Sequence, residues 1–349
     1  MIYNSNLWLS DLDLSIASLP SLSRLNGKTV LVTGAGGLIC SAVVDVLIRY
    51  NETQNGSIKI LAAGRSEARM RTRFGEFFDR PYFEFVPYDA SDSSLSITSA
   101  ADYIIHGVGN ATPARITGEP VETMTANFAG LLALLNYAGE VKSTRVLYIS
   151  SSEVYGQKEG MEPFKESDYG YVDLLNPRSS YPVSKRAAET LCISYSLEYG
   201  VDTVIARPGH IYGPNANSYD NRVWAEWTKA AARGENIVMK STGTQLRSYC
   251  YSLDCATAVI SILLDGEKCR AYNISNPDAI ISIRQMAEYI CEAGGVDLVM
   301  DLPTDSEQKS YSAMSNASLD STSLEGLGWK GLFDAPTGFG HTVDILREV

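Results

Sequence analysis

The stretch Thr29-Val30-Leu31-Val32-Thr33-Gly34-Ala35-Gly36-Gly37-Leu38-Ile39-Cys40 decides how the rest of the chain is read. A short apolar run meets a glycine cluster, and an apolar helical pattern follows (Val43, Val44, Val46, Leu47, Ile48). The order is strand, tight turn, helix. Such a turn sets free N–H groups and the positive end of a helix dipole against a pyrophosphate. Gly34 and Gly37 let the backbone turn sharply and approach phosphates with no Cβ in the way. The usual third glycine is replaced by Cys40. A glycine cluster alone is weak evidence, so the other strand ends are read with it.

Working outward, residues 28–150 alternate short apolar strands (28–33, 58–63, 83–87, 102–106, 145–149) with helical stretches, notably 38–50 and 120–139. Nearly all-apolar strands between helices indicate a parallel sheet covered on both faces. The fold class is α/β: a Rossmann-type doubly wound parallel sheet with a smaller α/β substrate-binding lobe. The expected division is an N-terminal packing arm over 1–25, a dinucleotide-binding domain over 26–206 plus about 247–266, and a substrate lobe over 207–246 plus 267–349. The Ser-rich segment 303–323 reads as a mobile or substrate-capping loop.

Ligands bind such sheets at the carboxyl ends of the strands. After the second strand stands Arg65, where an acid would serve NAD and an arginine accommodates a 2′-phosphate; the alternative is a solvated helix start. After the third comes Asp89-Ala90, an acceptor for an adenine amino group or a helix cap. After the fourth, His106-Gly107-Val108-Gly109-Asn110-Ala111-Thr112 is a small-residue loop, with His106 read as structural. After the fifth, Ser150-Ser151-Ser152-Glu153 precedes Tyr181-x-x-x-Lys185. That spacing puts phenol and ammonium on one helix face. The ammonium is expected to lower the phenol pKa and make Tyr181 a general base. Arg222 and Arg247 are candidate diphosphate ligands, because guanidinium forks match phosphate oxygens, or else surface ion-pair residues.

The whole chain bounds the function classes. Its 349 residues and 45% hydrophobic content suit a two-lobed enzyme. A net charge of −12 argues against nucleic acid or an anionic membrane as partner. Six cysteines without a CxxC pair read as reduced thiols of a cytoplasmic protein, and three scattered histidines make no zinc site. The N-terminus lacks a basic region with a long apolar run, so no signal peptide is expected.

Together these stations resemble the extended short-chain dehydrogenase/reductases, the nucleotide-sugar epimerase/dehydratase/decarboxylase group. Besides the glycine turn and Tyr181/Lys185, the matching segments are Ser150–Gly156, Arg207-Pro208-Gly209-His210-Ile211-Tyr212-Gly213-Pro214, Gln245–Tyr249, Tyr272–Pro277 and Leu327-Gly328-Trp329. The resemblance implies a retained NAD, with NADP open because of Arg65, a nucleotide-sugar substrate, and a homodimer built on helices 120–139 and 181–199. It implies that Tyr181 deprotonates the sugar 4-hydroxyl while hydride leaves C4, with Ser151, Glu153 and Lys185 completing the catalytic set. Cofactor contacts would be Gly34, Gly37, Leu38, Ile39, Arg65, Asp89, Ala90, Gly107, Asn127, Pro208 and His210, with Tyr181 and Lys185. Substrate contacts would be Thr112, Ser152, Arg178, Tyr212, Arg222 and Arg247.

Ser151-Ser152-Glu153 and Asn176-Pro177-Arg178 look most like UDP-glucuronate decarboxylases. Two departures stand beside that: the arginine such enzymes carry before Leu-Gly-Trp is absent from 312–318, and His210 replaces the family's asparagine. A 4-epimerase or 4,6-dehydratase is the alternative, although Ser152 stands where dehydratases carry an aspartate. A dissociable-NADPH reductase and a non-catalytic dinucleotide sensor are the readings of other kinds.

Overall fold

A computed structural model describes residues 2–91, 97, 99–109, 113–301 and 316–349. Thr112 and most of the 303–323 segment lie outside the described residues.

Seven parallel strands form the main sheet: β1 (Thr29–Thr33), β2 (Lys59–Gly64), β3 (Phe83–Pro87), β4 (Tyr103–His106), β5 (Arg145–Ile149), β6 (Thr203–Pro208) and β10 (Ala271–Ile274). Their spatial order is β10-β6-β5-β4-β1-β2-β3, so the chain reverses direction across the sheet between β1 and β4. A crevice at such a reversal is where a dinucleotide lies in this kind of sheet.

Alternation along each strand feeds two cores. In β1, Val30 and Val32 enter the core with helices α2 (Leu38–Thr53) and α8 (Ser252–Asp265), whereas Leu31 enters the one with α5 (Pro120–Glu140) and α6 (Ser180–Glu198). Both faces are therefore dry, which is why the strands read as continuous apolar runs.

The smaller lobe has its own sheet. The central strand β9 (Leu246–Tyr251) pairs in parallel with β7 (His210–Tyr212) and β13 (Asn316–Ala317), and antiparallel with β11 (Ile280–Ser282). Helices α7 (Val223–Ala232) and α9 (Ile283–Gly294) pack with the C-terminal helix Ala335–Glu348. The strands depart from the expected bounds at two places. Residues 247–251 lie in the smaller sheet, and β10 is the edge of the main sheet beside β6. The chain crosses between lobes as many times as expected, but the second and third crossings fall later in the sequence, after Tyr251 and after Ile274.

The N-terminal arm forms helix α1 (Asn6–Ala17), which buries Trp8 and Leu12 against α2, α8 and the C-terminal helix. Its buried Asp11 accepts from Tyr251 Oη at 3.0 Å and pairs with His341 Nδ1 at 3.0 Å, tying the arm to the smaller lobe.

Candidate active site

Gly34 has φ +69°, and a Cβ there would stand 3.0 Å from the Gly107 carbonyl oxygen. Both facts require glycine at the first position of the turn. Gly37 caps α2 without a side chain, so the first-turn N–H groups at Leu38 and Ile39 have no capping partner. That is a cradle for an anion. Cys40 is accommodated by a second exchange of size. A Cβ on Gly107 would lie 2.2 Å from the Cys40 Sγ, so the thiol fills the space that a side chain at 107 would need. Burial pushes the Cys40 thiol up to about 12, and it stands as a neutral packing group.

Arg65 is exposed at the tip of β2, with Ser66 capping the following helix, α3 (Glu67–Phe74). Asp89 accepts from the Ser91 backbone N–H at 3.0 Å and hydroxyl at 2.8 Å, while Ala90 is buried against Gly130. His106 is fully buried: Nδ1 meets Thr33 Oγ1 at 2.8 Å, and the ring stacks on Tyr148. Burial, helped by the Lys185 charge, holds its pKa down to about 3, so it stays neutral and structural. Asn127 is buried in α5. Its amide nitrogen donates to Thr123 O and Ser184 Oγ, while its Oδ1 has no partner and faces Gly109, 2.8 Å from where a Cβ there would stand. An orphaned acceptor beside a glycine fits a dinucleotide group passing between them.

Ser151 caps the short turn Ser152–Tyr155, and α6 brings Tyr181 and Lys185 beneath it. The Lys185 ammonium donates to Ile149 O at 2.9 Å and lies 5.8 Å from the centre of the Tyr181 ring. The expected lowering of the phenol is reversed. Burial pushes Tyr181 up to about 12; hydrogen bonding to Ser151 opposes this, the Glu153 charge adds to it, and the charges of Arg222 and Arg178 oppose it. Lys185 is itself buried and held down to about 8, and its ammonium donates to a carbonyl. Ser150, also buried, has a hydroxyl with no partner.

Glu153 and Arg178, expected in separate roles, are brought together: the guanidinium grips the carboxylate with two bonds, 2.8 and 3.1 Å. Arg222 is similarly chelated by Asp220 and lies over the Trp224 ring. Arg247 is buried on β9 and donates to Leu246 O. Pro208 ends β6, and His210 follows it beside Arg247 and Arg222. Tyr212, expected as a substrate contact, is turned into the core. It is fully buried and stacked on Phe339 of the C-terminal helix at 3.8 Å between ring centres.

One functional connection had no sequence signal. Asn215 donates to Leu38 O at 2.7 Å and Ser41 Oγ at 2.9 Å, and Tyr219 lies under Arg69. The 213–220 segment thus straps the glycine turn to Arg222. A cleft of about 880 Å³ lies elsewhere, on the outer face of α6 beside β10. Two of its cations are engaged within the fold, Arg207 with Glu189 and Arg186 with the carbonyls of Val154, Tyr155 and Gly170.

A doubly wound sheet with a glycine cradle at the reversal point, Ser151 after β5, and Tyr181 and Lys185 on α6 defines a dinucleotide-dependent short-chain oxidoreductase architecture. The model of the NAD dependent epimerase/dehydratase family matches residues 30–275, and the chain belongs to that family. UDP-glucuronic acid decarboxylase 6 of Arabidopsis thaliana is 32% identical over 305 residues, 86% of this chain and 83% of that protein. A dTDP-glucose 4,6-dehydratase of Streptomyces venezuelae, solved with NAD, superposes with TM-score 0.77 at 22% identity, covering 92% of this chain and 97% of its own. RMD of Pseudomonas aeruginosa, solved with NADPH, gives TM-score 0.69 at 21% identity, covering 92% and 100%.

Proposed function

We propose that this enzyme oxidises C4 of a nucleotide sugar and, on a uronate, releases carbon dioxide; the leading substrate is UDP-glucuronate. The observation that carries the reading is the Tyr181 phenol, buried and hydrogen-bonded to Ser151, with the charges of Glu153, Arg222 and Arg178 acting on it. A bound nicotinamide dinucleotide supplies a hydride acceptor. Gly34, Gly37 and the first turn of α2 would hold its pyrophosphate, and Lys185 and Asn127 would meet its nicotinamide riboside end. Tyr181 takes the proton from the sugar 4-hydroxyl through Ser151. At a pKa of about 12, with Arg178 and Arg222 already acting on it, the phenol gives up its proton only once a further positive charge lowers it, which an oxidised nicotinamide would supply. Arg178 and Arg222 already act on the phenol in the free protein; we assign the uronate carboxylate to Arg178.

NAD is the cofactor we favour; Arg65, exposed where an acid would bind the ribose hydroxyl, supports NADP as the second reading. A 4-epimerase is the second reading of the reaction. In its favour, the segment before Leu327-Gly328-Trp329 offers Asn316 beside β9, its amide tied to Met161 O, rather than a guanidinium. We also infer a homodimer through α5, whose Val121, Met124, Phe128 and Leu132 form an exposed apolar stripe. Sedimentation of a monomer at micromolar concentration removes that inference.

The test is the mass of the products from a panel of nucleotide sugars. Loss of carbon dioxide from UDP-glucuronate supports the decarboxylase. An unchanged mass with inverted C4 in UDP-glucose supports the epimerase. No product from any sugar overturns both.

A further inference from the structure

The sugar side of the site holds one titratable ring that this reaction leaves unused. His210 starts β7 just after the main sheet ends at Pro208. Gly209 lets the chain pass close to β9: a Cβ there would stand 2.8 Å from Ser248 O. The register places His210 opposite Tyr249, and the two rings lie 5.7 Å apart, tilted. The His210 Nδ1 is buried and has no hydrogen-bond partner among the described residues.

The groups facing this ring come from two elements. Strand β9 presents Tyr249 and the Arg247 guanidinium; the start of α7 presents Arg222, chelated by Asp220. Burial first, then the two guanidinium charges, depress the imidazole pKa to about 4. The free protein therefore keeps a neutral ring with a buried, unpaired nitrogen. Leaving such a nitrogen unpaired costs free energy, and a bound partner recovers it. The guanidiniums that forbid the imidazolium are also the groups that attract a dianion. Once a dianion lies among them, the field at His210 changes sign and the imidazolium becomes the favoured form.

We propose that His210 is a proton-linked contact for the diphosphate of the nucleotide sugar: neutral in the free protein, protonated and donating to a phosphate oxygen in the complex. The proposal rests on the nucleotide-sugar reading. The proton is drawn from solvent, and no covalent bond to the sugar changes in this step. By linkage, affinity strengthens as pH falls between the free and bound pKa values, by up to about tenfold per pH unit. An asparagine at this place donates a hydrogen bond without charge and carries no such dependence.

The experiment is calorimetric titration with UDP-, dTDP-, GDP- and CDP-glucose. Their diphosphate diesters do not titrate near neutrality. It is run at about pH 6 in two buffers of unequal ionisation heat. The expected result is uptake of more than half a proton per sugar bound, lost in both His210→Asn and His210→Gln, with the affinity of the variants flat in pH. Thermal unfolding of the variants confirms that they fold. Binding without proton uptake, or uptake unchanged in the variants, overturns the role of His210 and leaves the nucleotide-sugar reading standing. Failure of the unaltered protein to bind any of the four sugars removes that reading and this proposal with it.

Discussion

The two halves of the site are made of different material. The dinucleotide half is mostly backbone: a glycine at φ +69°, an uncapped helix start, and Gly107 and Gly109 where no Cβ fits. The sugar half is side chains held by other side chains, Arg178 by Glu153 and Arg222 by Asp220. Backbone geometry needs little from its neighbours and leaves a spacing in the sequence. A side-chain site depends on which partner each charge finds, and that is a tertiary fact. Substitutions should therefore damage the halves in different ways.

The largest effect is expected at their junction. Tyr181→Phe should lower turnover by about 10²–10⁴-fold while leaving dinucleotide binding intact. Equal loss of dinucleotide binding would place Tyr181 in the backbone half instead. Next is the Cys40–Gly107 exchange. Gly107→Ala should destabilise by about 1–3 kcal/mol through overpacking, and adding Cys40→Gly should recover most of it, read by denaturant unfolding. Additive losses would contradict the size exchange. On the sugar side, Arg178→Ala should raise KM for UDP-glucuronate about tenfold more than KM for UDP-glucose, because only the first carries a carboxylate to pair. Equal changes would return Arg178 to a purely structural pair with Glu153.

The smallest effect is expected far from both halves. His341 is held above its usual pKa by its bond to Asp11, with Asp344 assisting. A raised histidine pKa adds stability fully present below the unfolded value, near 6.5, and lost as pH rises through the folded value. The unaltered protein should lose on the order of 1 °C in Tm across that window relative to His341→Gln. An identical pH dependence in the two would show that the arm does not use this bond.

Most of the main sheet was legible because its strands are dry on both faces and its helices amphipathic. The glycine turn, Tyr181 and Lys185 were legible because fixed spacings place them on one turn or one helix face. Three things were not. Tyr212 belongs to a three-residue strand, too short for alternation to show that the C-terminal helix closes over it. The sign of the Tyr181 shift depends on depth, and Tyr-x-x-x-Lys reports spacing alone. The tie from Asn215 to the first turn of α2 joins residues 177 positions apart, and no local pattern announces it.

The central claim is hydride removal from C4 at Tyr181. The direct measurement uses UDP-glucuronate deuterated at C4, with the reaction quenched in acid during turnover and the dinucleotide analysed by mass spectrometry. The account predicts deuterium on the reduced dinucleotide in the unaltered enzyme and none in Tyr181→Phe. Product formed while the dinucleotide stays unlabelled would contradict it.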